Sequence, residues 1–486
     1  MIYTDLSLEE PAVEIEPTTV TEEKCLFESI PNEILSIIFI ECVDDDPQLN
    51  LQPDVTIAPL LLCHICSLWR KIAFNSPRLW ECLHLDLGHA KLPLSPLSGL
   101  LKDKVDILKF WTSKAAPLHP SLHLSFNDLN NIWSVEEHDF VPFEKLFSFP
   151  SIPSARLLDL NRLTHWNVDT LFNPISDYVS DYTTKPEAYD FPNLEVLAFR
   201  GGPVNPFLPT GDNLMMFERA PSLRRLAILL LRFPLVPFGE LLFSWENLTH
   251  CLVACNQVSF PRWYGILTSC VNLVCGVFLV DMQHFVRHEP TELPNLRQLT
   301  VVCEGETPEG IFQDLSFPSL TALRLSIISQ SSRLKMQNLL IPMPSLVEFH
   351  LQSCTAVADT SDPLSMFVPN LRIMVIDGFI FCGSISPLDD INKLLCQPWL
   401  TNGWQADSAH RERIEYIVYP TLTKWKGLTQ DLIKKYVAQH IASLPKYPFA
   451  SVIIHDQSEI LWNWPIMTAY DLEHRWDEKM KFHERS

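Results

Sequence analysis

Apolar residues along this chain follow two periodicities, and the change from one to the other falls near residue 82. Before it the spacing is helical: Ile34, Leu35, Ile38, Phe39 and Cys42 recur on one side of a predicted first helix. Ser29 is placed to cap that helix, and Pro31 suits its first turn, where a missing N–H is harmless. A second helix is predicted from near Pro59, carrying Leu61, Leu62, Ile65, Leu68, Trp69, Ile72 and Ala73. Asn75-Ser76-Pro77 ends it, and a short third segment presents Leu79 and Trp80. A unit of about fifty residues cannot bury that much apolar surface by itself. A partner or the next domain is therefore expected to cover the surplus.

After residue 82 the pattern alternates. Residues 82–87 read Cys-Leu-His-Leu-Asp-Leu and 121–126 read Ser-Leu-His-Leu-Ser-Phe, both predicted strands, with a helix expected over 102–113 between them. From about residue 150 a repeat sets in. Leu194, Leu223, Leu248, Leu273, Leu296, Leu320, Leu346 and Leu371 are separated by 29, 25, 25, 23, 24, 26 and 25 residues. The residue before each leucine is Asn or Ser, and the one before that is proline in six of the eight copies, which chance spacing of leucines does not explain. Five residues after each leucine the side chain is always apolar. Proline stops the preceding segment, Asn or Ser makes a turn, and a short strand then sends the leucine and its third and fifth followers into a shared core. A degenerate earlier copy, Pro153 to Leu160, precedes an insertion reaching residue 190. Helical turns are expected in the intervening pieces 211–220, 263–270 and 334–340. Beyond 379 the repeat fades, leaving strand candidates at 414–419 and 451–454 and an amphipathic helix at 428–444.

Composition narrows the function. The 486 residues are 47% hydrophobic and 20% charged, the balance of a folded protein, with a net charge of −21. No basic face is evident, so nucleic acid is not an expected partner. The most apolar stretch, 226–243, is interrupted by Arg232, Pro234, Pro237 and Glu240, so no membrane partner is expected either. The first residues lack a basic region and an apolar run, so no secretory signal is expected. Thirteen cysteines spread singly then read as reduced thiols in a cytoplasmic and/or nuclear protein.

The residues of 27–80 carry a resemblance. The opening Pro31-Asn32-Glu33-Ile34-Leu35, the segment Cys66-Ser67-Leu68-Trp69-Arg70 and the close Leu79-Trp80 resemble an F-box, the module that docks on the Skp-type adaptor of SCF ubiquitin ligases. An acidic insert from Asp44 to Thr56 lengthens the first connection relative to that pattern. The later repeat resembles a leucine-rich repeat, L-x-x-L-x-L-x-x-N/C, best matched by Leu346, Phe349, Leu351 and Cys354. Gly202, Asp281 and Glu304 depart from its last position. The resemblance implies an α/β chain with a small helical F-box followed by an irregular leucine-rich-repeat solenoid. Its parts are an acidic disordered arm (1–24), the F-box (25–82), a linker with first strands (83–149), the repeats (150–380) and a C-terminal cap and tail (381–486).

It also implies a non-catalytic substrate receptor of an SCF-type ligase. Its partners would be the Skp-type adaptor with its cullin complex and a protein target whose identity the chain does not disclose. The alternative is a repeat scaffold without a ligase role. The adaptor contacts carried over are Pro31, Ile34, Leu35, Ile38, Trp69 and Trp80. Strand alternation gives the expected target face: Arg225, His250, Leu252, Val277, Leu279, Val302, Arg324 and His350, with the four apolar residues forming a patch between basic groups. No nucleophile elbow, zincin motif, Walker loop or dinucleotide fingerprint is present, so no catalytic residue and no cofactor is predicted. Cys63-His64-Ile65-Cys66 lacks a second ligand pair for zinc, so both cysteines are expected to pack inside a helix.

Overall fold

In the computed structural model the described residues are 30–43, 53–86, 97–125, 152, 154–163, 190–201, 219–230, 244–255, 258–282, 289–304, 310–328, 334–335, 341–353, 357–358, 367–377, 414–419, 435 and 449–454. They form a mixed α/β chain whose main body is a parallel β-solenoid with few helices. Three short helices come first: α1 (Asn32–Glu41), α2 (Leu60–Ile65) and α3 (Ser67–Phe74), then a single 3₁₀ turn at Pro77–Trp80. Ser29, the expected cap, lies outside the described residues. Pro31 takes the cap position, and its carbonyl accepts the N–H groups of Ile34 and Leu35.

The single helix expected from Pro59 to Ala73 is in fact two. Cys66 adopts an extended conformation and breaks it, and its Sγ accepts the Trp69 N–H at 3.4 Å as a cap for α3. Cys63 is buried as expected, whereas Cys66 is exposed. A thiol is a weak acceptor, but one orphan N–H at a helix start is enough to recruit it.

The sheet begins directly at β1 (Cys82–Asp86). After the helix α4 (Leu97–Ala115) it continues with β2 (Ser121–Ser125), β3 (Leu157–Leu163), β4 (Val196–Gly201), β5 (Arg225–Leu230) and β6 (His250–Cys255). The helix α5 (Phe260–Ser269) leads into β7 (Cys275–Asp281). Two-residue strands β8 (Thr291–Glu292), β10 (Leu315–Ser316), β12 (Leu334–Lys335) and β14 (Val357–Ala358) alternate with the long β9 (Gln298–Glu304), β11 (Ala322–Ile328) and β13 (Glu348–Ser353). The chain closes with β15 (Ile373–Asp377), β16 (Ile414–Tyr419) and β17 (Phe449–Ile454). Thirteen of these strands make one sheet in chain order, β1 through β7, then β9, β11, β13, β15, β16 and β17. Every pairing is parallel. The expected strands at 414–419 and 451–454 are thus the last two rungs. The expected helical turn at 334–340 is replaced at Leu334–Lys335 by β12, which pairs with β14. Of the helix expected over 428–444, only Lys435 is among the described residues.

The register explains the repeat. Leu122, Leu158, Leu197, Leu226, Cys251, Gly276, Leu299, Leu323, Phe349 and Met374 stand side by side across the sheet, and Leu124, Leu160, Phe199, Ile228, Val253, Phe278, Val301, Leu325, Leu351 and Ile376 form the next row. Glycine interrupts the first row because the Phe278 ring occupies its place: a Cβ on Gly276 would lie 2.7 Å from that ring. The Asn or Ser before each leucine does more than turn the chain. Asn247 Nδ2 donates to the Pro221 carbonyl (3.2 Å), Asn272 to Glu246 (2.8 Å), Asn370 to Pro344 (2.7 Å), and Ser222 Oγ to Pro192 (2.7 Å). Each reaches the residue two before the leucine of the preceding copy. The side chain therefore satisfies a carbonyl that no strand would pair, and ties one rung to the last.

One buried apolar cluster runs from Leu35 in α1 through the solenoid rows to Met374. Trp80 links the helical unit to α4. Its ring lies 4.9 Å from Trp111 and 5.5 Å from Phe110 of α4, both edge-on, and 5.9 Å from Phe74 of α3. The helical unit is therefore covered on its inner side by the solenoid, as the surplus of apolar surface required.

Candidate functional site

Two surfaces matter: the outer side of the helical unit, and the sheet face opposite the leucine rows. In α1 the apolar residues divide. Leu35 and Phe39 point into the core, while Ile34, Ile37 and Ile38 are 48%, 56% and 45% exposed. The helix is apolar on both sides, and the five residues placed on one side by spacing do not share it. Of the eight large apolar side chains that are exposed among the described residues, six (Ile34, Ile37, Ile38, Val55, Leu61 and Ile65) lie in this unit, which is a fraction of the chain. Scattered exposed apolar residues are ordinary; this concentration between Ile34 and Ile65 is not. Pro31 is exposed beside them, and Trp69 is half-buried, its ring 4.8 Å from Phe39.

Two of the expected adaptor contacts need correction. Leu35 is 1% and Trp80 0% exposed, both facing this chain's own core, so neither offers a surface to a partner. Trp80 Nε1 also donates to the Ala73 carbonyl at 2.9 Å, which completes the end of α3 from inside. Sequence spacing marked apolar residues but not the side on which each would be used. Ile37, Val55, Leu61 and Ile65 were passed over for the same reason.

The opposite face of the sheet carries the expected target residues in the expected register: His350 stands beside Arg324, Val277 beside Leu252, and Val302 beside Leu279. The predicted apolar patch is nevertheless no open surface. Leu252, Val277, Leu279 and Val302 are 0–5% exposed and form a second buried cluster with Leu157, Val196, Ala198, Ala227, Ala254 and Cys275. His250 and His350 are buried as well, and Arg225 and Arg324 are half-buried. Beside them burial pushes the Glu348 carboxyl up to about 7, against the opposing pull of Arg324.

On the first rungs the same face carries a polar cluster that the sequence reading did not bring together: His84 on β1, His123 on β2, Asp159 on β3 and Arg200 on β4. Their common signal was visible, a polar residue between two leucines in 82–86 and 121–125. His84, His123 and Asp159 share one row of the register. Arg200 Nε donates to Asp159 Oδ1 at 3.0 Å, its Nη2 bonds Oδ2 as well, and His123 Nδ1 lies 3.3 Å from Oδ2. Burial would raise the Asp159 carboxyl, but Arg200 and His123 outweigh it and hold it down to about 2. Burial would likewise push the His123 imidazole down; Cys82 and Asp159 prevail and keep it well above the usual histidine range. His84, its ring 6.3 Å from His123, is lowered by burial and then by that neighbouring charge.

A depressed carboxylate contributes stability that is present above its unfolded value and lost as pH falls through the folded one. Asp159 therefore contributes roughly 2 kcal/mol at neutral pH, lost between about pH 4 and pH 2. Urea midpoints measured from pH 7 downward are expected to show this acid limb, and Asp159→Asn to flatten it; an identical limb in the variant would contradict the buried pairing.

Among the described residues no group of three His, Cys, Asp or Glu side chains is arranged to hold a metal ion, and no helix is long and apolar enough to cross a membrane. No family model matches this chain, and no curated protein matches it.

Proposed function

We propose that this chain is a non-catalytic substrate receptor of an SCF-type ubiquitin ligase, an F-box unit joined to a leucine-rich-repeat solenoid. The F-box-like residue order stands at 27–80, and the observation that carries the reading is the concentration of exposed apolar side chains on α1 and α2. Ile34, Ile37, Ile38, Leu61 and Ile65 leave an apolar surface that this chain does not cover with its described residues. A Skp-type adaptor would bury it, the helical unit would be held through Trp80 to the solenoid, and the solenoid would present a protein target. Ubiquitin transfer is then promoted by proximity: the complex raises the effective concentration of target lysines at a charged E2, while side chains here perform no chemistry. The work of binding rests on Pro31, Ile34, Ile38 and Trp69 with Ile37, Leu61 and Ile65, and on Leu35 and Trp80 only through the fold.

The test is co-purification with a Skp-type adaptor and its cullin. Ile34→Glu with Ile38→Glu is expected to abolish capture, since two carboxylates would be desolvated in an apolar interface, and to leave the melting curve unchanged because both positions are exposed. Undiminished adaptor capture by this variant would end the F-box reading. Capture of adaptor without cullin would favour a scaffold without a ligase role.

A further inference from the structure

The position after each repeat leucine carries a pattern of its own. From Leu223 to Leu371 those positions read Arg224, Thr249, Val274, Arg297, Thr321, Val347 and Arg372, an arginine on every third rung. They form one continuous ladder along the turn edge of the sheet. The Arg224 carbonyl accepts the Thr249 N–H, and further bonds run from Val274 to Thr249, Arg297 to Val274, Thr321 to Arg297, Val347 to Thr321 and Arg372 to Val347, each 2.8 or 2.9 Å. The Thr249 and Thr321 hydroxyls donate to the Arg224 and Arg297 carbonyls as well, at 3.1 and 3.0 Å. The backbone beneath the three arginines is therefore fixed. Arg224 and Arg297 are separated by three steps of the sheet, from β5 through β6 and β7 to β9, and Arg297 and Arg372 by three more, through β11 and β13 to β15. At about 4.8 Å per strand, successive arginines stand roughly 14 Å apart.

All three side chains are exposed, and among the described residues none of them has a carboxylate partner. Arg224 Nη1 donates to the Asn247 carbonyl at 3.3 Å, whereas nearby Arg219 is paired with Asp190 at 3.3 Å. The edge is not uniformly basic. Glu195 stands one rung before Arg224, and Glu246 and Glu292 are exposed in the segments leading into β6 and β9.

We propose that this edge is an interaction surface that takes an extended protein segment carrying a carboxylate at every fourth residue. An extended chain advances about 3.3 Å per residue, so about four residues cover the distance between successive arginines. A nucleic acid matches the edge poorly. Its phosphates recur at every nucleotide and would meet Glu195, Glu246 and Glu292, besides the net charge of −21. Spaced carboxylates avoid those contacts. Each exposed ion pair is weak alone, so recognition depends on engaging all three together, and the fixed row sets their spacing before binding. Between the arginines, half-buried Val274 and Val347 offer the segment an apolar step. That the segment belongs to a ligase target rests on the receptor reading above; the surface and its spacing do not.

The experiment titrates the full chain with two labelled peptides of Gly and Ser at low salt, read by fluorescence anisotropy. One carries glutamates at every fourth residue, the other the same glutamates in a contiguous run. The spaced peptide is expected to bind at least about fivefold more tightly, with the preference fading as salt is raised. Arg224→Gln with Arg297→Gln and Arg372→Gln is expected to remove that preference and to leave the melting curve and adaptor capture unchanged, because all three side chains are exposed. Equal affinity for the two peptides in the unmodified protein overturns the proposal, and this comparison needs no variant. Tighter binding of a single-stranded RNA of about twenty nucleotides, lost in the variant, would assign the edge to nucleic acid and overturn it too. Failure of the unmodified chain to capture adaptor would end the F-box reading and leave the peptide comparison intact.

Discussion

Placing Glu at both Leu252 and Leu279 is expected to unfold the solenoid. Leu252 stands between Ala227 and Val277 in one row of the sheet, and Leu279 beside Val302 in the next, within a buried cluster of apolar side chains. A carboxylate there would be set among apolar side chains. It must ionise at a desolvation cost of several kcal/mol or remain protonated with unmatched oxygens, and the lost leucine contacts add to either outcome. Two such sites together cost on the order of 5 kcal/mol or more, comparable with the whole net stability of a folded domain. Denaturant melts would read this directly. An unchanged curve would mean that the face is open, and would restore it as a target surface. With the collapse expected here, the apolar four belong to the interior of the solenoid and not to a target face.

Trp80→Ala is expected to cost ~3–5 kcal/mol, the range for removing a fully buried tryptophan. The cavity would open between α3 and α4, where the indole meets Phe110 and Trp111 edge-on and Phe74 at a tilt, and the Ala73 carbonyl would lose its donor. Because this ring joins the helical unit to the first rungs, limited proteolysis should release fragments cut near residue 80 well before the later rungs are attacked. Trp80→Phe should retain most of the packing and lose only the Nε1 hydrogen bond, about 1 kcal/mol with its share of apolar area. A variant that melts normally yet loses adaptor capture would instead make Trp80 a direct contact and contradict its burial.

Repeating local patterns determined the solenoid. Leucine at a fixed position, an apolar residue five later and Asn or Ser just before it are rules of one rung, and one rung's alternation decides which side chains enter the core. The rungs of the main sheet from Leu157 to Asp377, and even the late rungs Ile414–Tyr419 and Phe449–Ile454, were legible for that reason, whereas the two-residue strands β8, β10, β12 and β14 outside that sheet were not. The helices of the first unit were legible in outline too. The break at Cys66 was not, because nothing in a continuous apolar spacing marks where the backbone turns extended.

Whatever depends on residues far apart in the chain was left to the tertiary structure. Leu252 and Ile34 are both apolar residues at regular spacing, yet one is enclosed and the other exposed, and the difference lies in what packs beside them. Alternation assigned Leu252, Val277, Leu279 and Val302 to the right face but could not say whether that face meets water. Exposure is set by neighbouring rungs, two dozen residues away, and by whatever lies over them. The cluster of His123, Asp159 and Arg200 spans separations of 36 and 41 residues. Each of its members is an unremarkable polar residue in its own strand. Parallel stacking alone brings them within hydrogen-bond distance, and only there do burial and mutual charge give the imidazole and the carboxylate properties that neither has alone.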